Sequence, residues 1–266
     1  MLRHAWRSFR SIFSFFFYAG RQSRKTKIFF VISCLPVLMA LVIKLNQFVL
    51  GGRTVDNMSV FTNIIMAFYL QFLILVLALF YGSSVCLEEI EGKTLTYLTT
   101  RPVSKSAIVL GKYAAYVVFI VVMVAVGVFF SFLILNFEDI SQGPVWGILA
   151  RDLGVLVLGL VCYTAFFVFL GTFFKRSILF GLVFAFGWEN IVQYFPGATQ
   201  RFTIVHYLKS LLPAGAVTTG GKFSFLLFRL EASPPASAIT TLIVVTAAFL
   251  GLACLLFSQK EYLFEE

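Results

Sequence analysis

Three carboxylates and a Gly-Lys-Thr triplet lie together at 88–94, between two long apolar stretches. The triplet, residues 92–94, resembles the end of a phosphate-binding loop, which also needs a glycine six positions before its lysine. Leu87 occupies that position, and the carboxylates of Glu88, Glu89 and Glu91 fill the space between. Like charges would repel a nucleotide phosphate there. We therefore exclude an ATP site at this triplet.

The segment 87–106 has instead the features of a surface on which another protein docks. A glycine at 92 permits a sharp turn, and Leu95 and Leu98 would share one face of a short helix. Pro102 ends the segment, and Ser104 can cap the next helix. The predicted docking residues are Glu88, Glu89, Glu91, Gly92, Lys93, Thr94, Leu95, Tyr97, Leu98, Arg101 and Pro102. A solvated loop whose charges anchor two spans is the open alternative.

A second polar group, Glu189 followed by Asn190, lies within an apolar run near the C-terminal third of the chain. A carboxylate inside a membrane span is costly, and it marks a transport pathway or a buried pair. We predict either a pathway or gate at these two residues, or a structural ion pair with Lys44 or Arg151. Arg151 has a second candidate partner in its neighbour, Asp152.

Residues for catalysis are few. The two histidines, His4 and His206, stand far apart, and neither an HExxH nor a GxSxG motif occurs. The four cysteines form no CxxC pair. We predict no catalytic residue, no metal site and no cofactor bound by this chain.

The composition indicates a membrane protein. Hydrophobic residues make up 60% of the chain, 33 residues are phenylalanine, and the mean hydropathy is +0.94. A soluble domain contains about 45–50% apolar residues. Six apolar runs are long enough to be membrane spans. They cover about 28–50, 60–86, 107–135, 148–174, 178–195 and 237–257.

The net charge of +9 follows the predicted topology. With the N-terminus in the cytosol, fourteen Lys and Arg residues lie on the cytosolic side and six lie outside. This is the positive-inside distribution, so the charge indicates orientation rather than binding to nucleic acid. We predict a multi-pass protein of the cell (inner or plasma) membrane with both termini in the cytosol.

Two further elements complete the predicted all-α architecture. Arginines and aromatic residues fall on different faces of residues 1–20, which predicts an amphipathic helix in the lipid headgroup layer. The segment 196–236 contains apolar pieces too short to span, which predicts re-entrant or interfacial helices that cap the outer side. We divide the chain into this N-terminal helix, 1–27, and a six-span membrane domain, 28–266.

The loop pattern resembles the signature of the second, export-type class of ABC transporter permeases. The matching residues are Glu91, Gly92, Thr94, Leu95, Leu98, Pro102, Ser104, Gly111 and Lys112, while Lys93 is inserted between the glycine and the threonine. The later stretches GWENIVQYFPG and HYLKSLLP are similar to the fifth span and outer cap of the same class. The resemblance implies six spans, cytosolic termini and a coupling helix in the loop between spans two and three.

The resemblance also implies partners. An ABC ATPase subunit that binds ATP and Mg²⁺ would dock on the loop, and a second permease subunit would complete a homo- or heterodimer in the lipid bilayer. We therefore expect the permease subunit of an exporter that hydrolyses nothing itself. The alternatives are a membrane-embedded enzyme acting on a lipid-like substrate through Glu189 and His206, or an assembly subunit that does not transport.

Overall fold

The computed structural model describes seven stretches of the chain. They are residues 2–49, 57–91, 105–138, 143–174, 176–192, 198–212 and 233–259. For residues 2–9, 21, 86–91, 143–144 and 198 it describes the backbone alone.

All regular structure in these stretches is helical. The first three helices are α1 (Leu2–Gln22), α2 (Arg24–Ser33) and α3 (Leu35–Val49). Helix α4 runs without a break through Asn57–Val60, Phe61–Ile65, Met66–Phe68, Tyr69–Leu73 and Ile74–Glu91, and its second and fourth pieces are π-helical. Helices α5 (Lys105–Leu135) and α6 (Gly143–Phe173) follow. Helix α7 joins Ser177–Leu182, the π-helical Val183–Trp188 and Glu189–Ile191. A 3-10 turn (Ala198–Phe202), α8 (Ile204–Ser210) and α9 (Pro235–Gln259) complete the order.

Five of these segments are long and apolar enough to cross a membrane, which confirms the predicted all-α membrane fold. They are Arg24–Val49, Asn57–Val85, Lys105–Leu135, Val145–Phe173 and Pro235–Gln259. The predicted fifth span is occupied by the shorter apolar helix Ser177–Ile191. At 1.5 Å per residue α7 covers about 22 Å, less than the roughly 30 Å of a hydrocarbon core.

The helix directions define two ends of the bundle. Helix α4 ends and α5 begins at one end, which we call the loop side because segment 92–104 joins them there. Lys105 Nζ donates to the carbonyl oxygen of Ser258 at 3.3 Å, which places the end of α9 on the same side. Lys44 and Glu138 meet at the opposite end, the far side, with 3.1 Å between Nζ and Oε1.

Helix α4 packs closely against α6 near the loop side because glycines remove side chains from the contact. A methyl group added at Gly82 would lie 2.9 Å from the carbonyl oxygen of Thr164 and 2.8 Å from Cβ of Phe167. One added at Gly171 would lie 3.2 Å from the carbonyl oxygen of Ser83. The two backbones are therefore in direct contact here.

A third glycine brings α5 to the first two spans. A methyl group at Gly127 would lie 2.7 Å from the carbonyl oxygen of Ser33 and would also collide with the Tyr69 hydroxyl. The Ser33 hydroxyl donates to the Met123 carbonyl at 3.1 Å, so a hydrogen bond reinforces the contact between α2 and α5. These contacts fix the helices that position both candidate sites.

Candidate functional site

The predicted docking segment lies mostly outside the described residues. The last turn of α4 contains Glu88, Glu89 and Glu91, whose backbone alone is described. The remaining predicted docking residues, Gly92, Lys93, Thr94, Leu95, Tyr97, Leu98, Arg101 and Pro102, fall in 92–104, outside the described stretches. The structure therefore defines the two helices that carry the segment and leaves its docking role a prediction.

A buried ammonium lies on α5, two turns after the start of that helix. Lys112, on α5, is only 1% exposed. Its Nζ lies 4.9 Å from the ring centroid of Phe16, on α1, and 5.7 Å from that of Tyr116, one turn further along α5. Aromatic faces attract a cation, and the attraction is stronger where water is excluded. The charge therefore fastens α1 to α5.

Two more helices join the same cluster. The ring of Tyr116 meets that of Tyr81, on α4, edge to face at 5.4 Å. The Tyr81 hydroxyl donates to Oγ1 of Thr26 at 3.2 Å, and Thr26 Oγ1 donates to the Gly20 carbonyl at 2.6 Å. We call Phe16, Thr26, Tyr81, Lys112 and Tyr116 the loop-side cluster. It joins α1 and α2 to both helices that flank segment 92–104.

Some aromatic residues of helix α1 pack against α5, and others are exposed. Phe17 stacks on Phe119 of α5 at 4.8 Å between ring centroids, next to Gly20. Phe15 and Tyr18 are 66% and 68% exposed. Helix α1 thus packs on α5 with one face and leaves part of its aromatic surface uncovered, and its interfacial position stays a prediction.

Glu189 lies near the far-side end of α7 and is 1% exposed. Its Oε1 accepts the backbone N–H of Ile204 at 3.1 Å, and its Oε2 accepts that of Val205 at 3.4 Å. The buried phenol of Tyr163, on α6, lies beside the same carboxylate. The adjacent Asn190 turns back to its own helix, where Nδ2 donates to the Ala185 carbonyl at 3.0 Å. Glu189 therefore connects α7 to α8.

The rest of α8 contacts α6 and the start of α9. Leu208 packs on Gly159, where an added methyl group would lie 2.9 Å from Leu208 Cδ1. Ser233 donates its N–H to Ser210 Oγ at 3.2 Å, and its own hydroxyl lies 3.1 Å from His206 Nε2. Helix α8 lies in the segment 196–236 for which the sequence predicts short cap helices, and it contacts Gly159 in the middle of α6.

Charge is also buried on α8 itself. Lys209 is 7% exposed, and burial lowers the pKa of its ammonium to about 8, although the Glu189 carboxylate acts in the opposite direction. Among the described residues, no group of three His, Cys, Asp or Glu side chains gathers as a metal site would need.

The two cations considered as partners of Glu189 lie beside other carboxylates. Lys44 pairs with Glu138. Arg151 pairs with its neighbour Asp152, with 3.4 Å between Nη2 and Oδ1. Sequence reasoning missed the backbone donors at 204 and 205, because a carboxylate gives no sign of which distant N–H groups it accepts. It also missed the burial of Lys112. The aromatic face of α1 was the available sign, because such a face can cover a cation.

Together these features define a multi-pass, all-α membrane protein whose two ends are held by different buried polar groups. The chain belongs to the ABC-2 family transporter proteins, since the model of that family matches residues 22–188. The match includes the segment that joins α4 and α5. No curated protein matches the chain. Family membership makes it a permease subunit of an ABC transporter, a class that works with an ATPase subunit.

Proposed function

We propose that this chain is the permease subunit of an exporter and that a separate ABC ATPase docks on segment 87–106 from the cytosol. The observation that supports this most directly is the position of the segment in an ABC-2 family chain. It joins α4 and α5, and the described part of both helices is tightly packed within the bundle. A push on the segment would therefore act on two spans at once.

The loop-side cluster supports a transmission role for this end. Buried Lys112 lies seven residues after the start of α5, and Tyr81 lies ten residues before the end of α4. Both contact α1 or α2 through ring and hydrogen-bond contacts. A displacement of the segment would thus also reach α1, the predicted interfacial helix. Through these contacts a conformational change driven by a partner's ATP hydrolysis would reach four helices, α1, α2, α4 and α5.

The complete transporter would contain further components. A second permease subunit, identical or related, would pair with this chain, and two ATPase subunits would bind ATP and Mg²⁺. The chain itself would bind no cofactor. Both termini would face the cytosol from the cell membrane, in keeping with the positive-inside distribution, and α1 would lie among lipid headgroups. We infer export rather than import because the loop resembles that of the export-type class of ABC permeases.

The enzyme alternative has less support. Glu189 would have to act as a general base, yet both of its oxygens accept backbone N–H groups. A general base has to reach its substrate, whereas Glu189 is only 1% exposed and is engaged in holding α8. A transport assay distinguishes the remaining alternative, because an assembly subunit would not transport.

Co-purification tests the docking proposal. The double variant Leu95→Asp/Leu98→Asp places two charges on the predicted apolar face, so we expect it to lose the ABC ATPase that accompanies the wild-type chain. The ATPase is identified by mass spectrometry from its nucleotide-binding motifs, and its hydrolysis rate is measured with and without the permease.

A matched control keeps the face apolar. The double variant Leu95→Met/Leu98→Met should retain both association and stimulation of ATP hydrolysis. Association and stimulation that survive the aspartate pair would refute docking on this segment.

A further inference from the structure

The first N–H groups of helix α8 donate their hydrogen bonds to a side chain of another helix. Thr203 stands at the capping position with extended backbone angles, φ −108° and ψ 143°, but its side chain makes no capping bond. Its hydroxyl donates instead to the Gln200 carbonyl at 2.8 Å. The acceptors for Ile204 and Val205 are the two oxygens of Glu189, fifteen and sixteen positions earlier in the chain. One carboxylate thus serves both as a helix cap and as a link between α7 and α8.

Burial makes this link costly to break. Glu189 is 1% exposed and lies between α7, α6 and α8, where the Tyr163 phenol and the partly compensating Lys209 ammonium are its polar neighbours. Hydrogen bonds to a charged group are among the strongest in proteins, and a buried carboxylate that loses its donors bears the full cost of desolvation. Movement of α8 away from α7 would leave the Glu189 carboxylate buried without its two backbone donors.

Helix α8 also contacts α6 and the residues just before α9. Against α6, the flexible end of the fully buried Leu208 side chain meets Gly159. Towards α9, the backbone N–H of Ser233 donates to Ser210 Oγ, and the Ser233 hydroxyl meets His206. Exposure to water at the far side would compensate for each of these bonds.

We propose that Glu189 is a positioning residue whose carboxylate ties α8 to α7 and keeps α8 seated against Gly159 of α6, so that the far side of the permease stays closed. Release of this tether would let α8 withdraw and open the far side. The role in opening rests on the proposed permease function, whereas the tether itself does not.

Thiol labelling measures the seating of α8 without an ATPase. Leu208→Cys places a reporter in the buried contact, in purified protein in lipid nanodiscs, with a membrane-impermeant maleimide as the probe. The native cysteines are measured in the chain without the reporter. In the Glu189→Ala background we expect labelling to be at least about tenfold faster, since two hydrogen bonds to a charge are lost. An unchanged labelling rate would overturn the proposal.

A second substitution separates the tether from simple helix capping. Thr203→Asn supplies a good cap from the residue directly before α8 and makes no link to α7. Added to Glu189→Ala, it should leave labelling fast. Recovery of the wild-type rate would show that Glu189 serves only to stabilise α8, and would overturn the proposal.

Glu189→Gln covers the case in which the alanine variant does not fold. It keeps one carbonyl acceptor, so we expect a labelling rate between those of wild type and a released helix, whereas a wild-type rate would count against the tether. The labelling result is independent of the docking test. If labelling contradicts the tether while the ATPase still depends on Leu95 and Leu98, only the tether proposal has failed. If labelling supports the tether while docking survives the aspartate pair, only the docking proposal has failed.

Discussion

The loop side and the far side of this bundle are held together by different kinds of contact. At the loop side, α4 and α6 touch backbone to backbone at Gly82, and a buried ammonium, Lys112, is covered by aromatic rings. At the far side, the seven-residue helix α8 buries Ile204, Val205 and Leu208. Its N-terminus is tied to α7 by two hydrogen bonds to Glu189. Close packing resists deformation, while hydrogen bonds can be exchanged for bonds to water.

The difference suggests a division of work between the two ends. A rigid loop side would transmit the displacement of a docked partner to several spans without loss. A far side whose cap helix is tied to α7 by a single carboxylate could instead open and close. The predictions below test whether the two ends differ in this way.

The largest expected effect comes from adding a methyl group to the α4–α6 contact. Gly82→Ala places Cβ 2.9 Å from a backbone carbonyl oxygen of α6. Neither backbone can yield cheaply, so the free energy of unfolding in detergent should fall by about 1–3 kcal/mol. Thermal unfolding followed by circular dichroism measures the change.

Substitutions at two further glycines allow the α4–α6 contact to be compared with the contact of α8. Gly159→Ala, at the contact of α8 with the middle of α6, meets the side-chain ends of Leu208 and Ile74, which can rotate, and should cost less than Gly82→Ala. Gly154→Ala has no atom within 4 Å and should leave stability unchanged or slightly raised, because alanine favours the helix. Equal losses at 82 and 159 would remove the proposed difference in rigidity.

A middle-sized effect is expected for the pair Lys112 and Phe16. A double-mutant cycle with Lys112→Met and Phe16→Leu should give a coupling free energy of about 0.5–2 kcal/mol, the usual size of a cation–aromatic contact. Phe15, which is 66% exposed on the same helix, provides the control, since Phe15→Leu should show no coupling to Lys112→Met. Absence of coupling at Phe16 would mean that the charge does not fasten α1.

The smallest effect is expected for the Lys44–Glu138 pair at the far side. Its side chains are 28% and 51% exposed, and exposed pairs contribute about 0–1 kcal/mol. Replacement by Lys44→Met or Glu138→Gln should therefore change the unfolding free energy little, and less still at high salt. A loss as large as that of Gly82→Ala would show that the far side is also rigidly held.

Much of the fold follows from hydropathy, because a span needs little more than length and apolar composition. The shortness of α7 does not, since apolar residues continue past Ile191 where the described helix has ended. The sequence also identifies Glu189 as unusual, but its acceptance of N–H groups at 204 and 205 depends on how α8 folds back. Lys112 is a similar case, because its burial requires α1 to lie along α5.

Site-specific photo-crosslinking from Leu95 tests the central claim most directly. A photoreactive amino acid at position 95, in the transporter assembled with its ATPase, should crosslink to the ATPase subunit. The same group at Phe48, which is 86% exposed at the far-side end of α3, should not. A crosslink from position 48 and none from position 95 would contradict an ATPase that docks on the segment between α4 and α5.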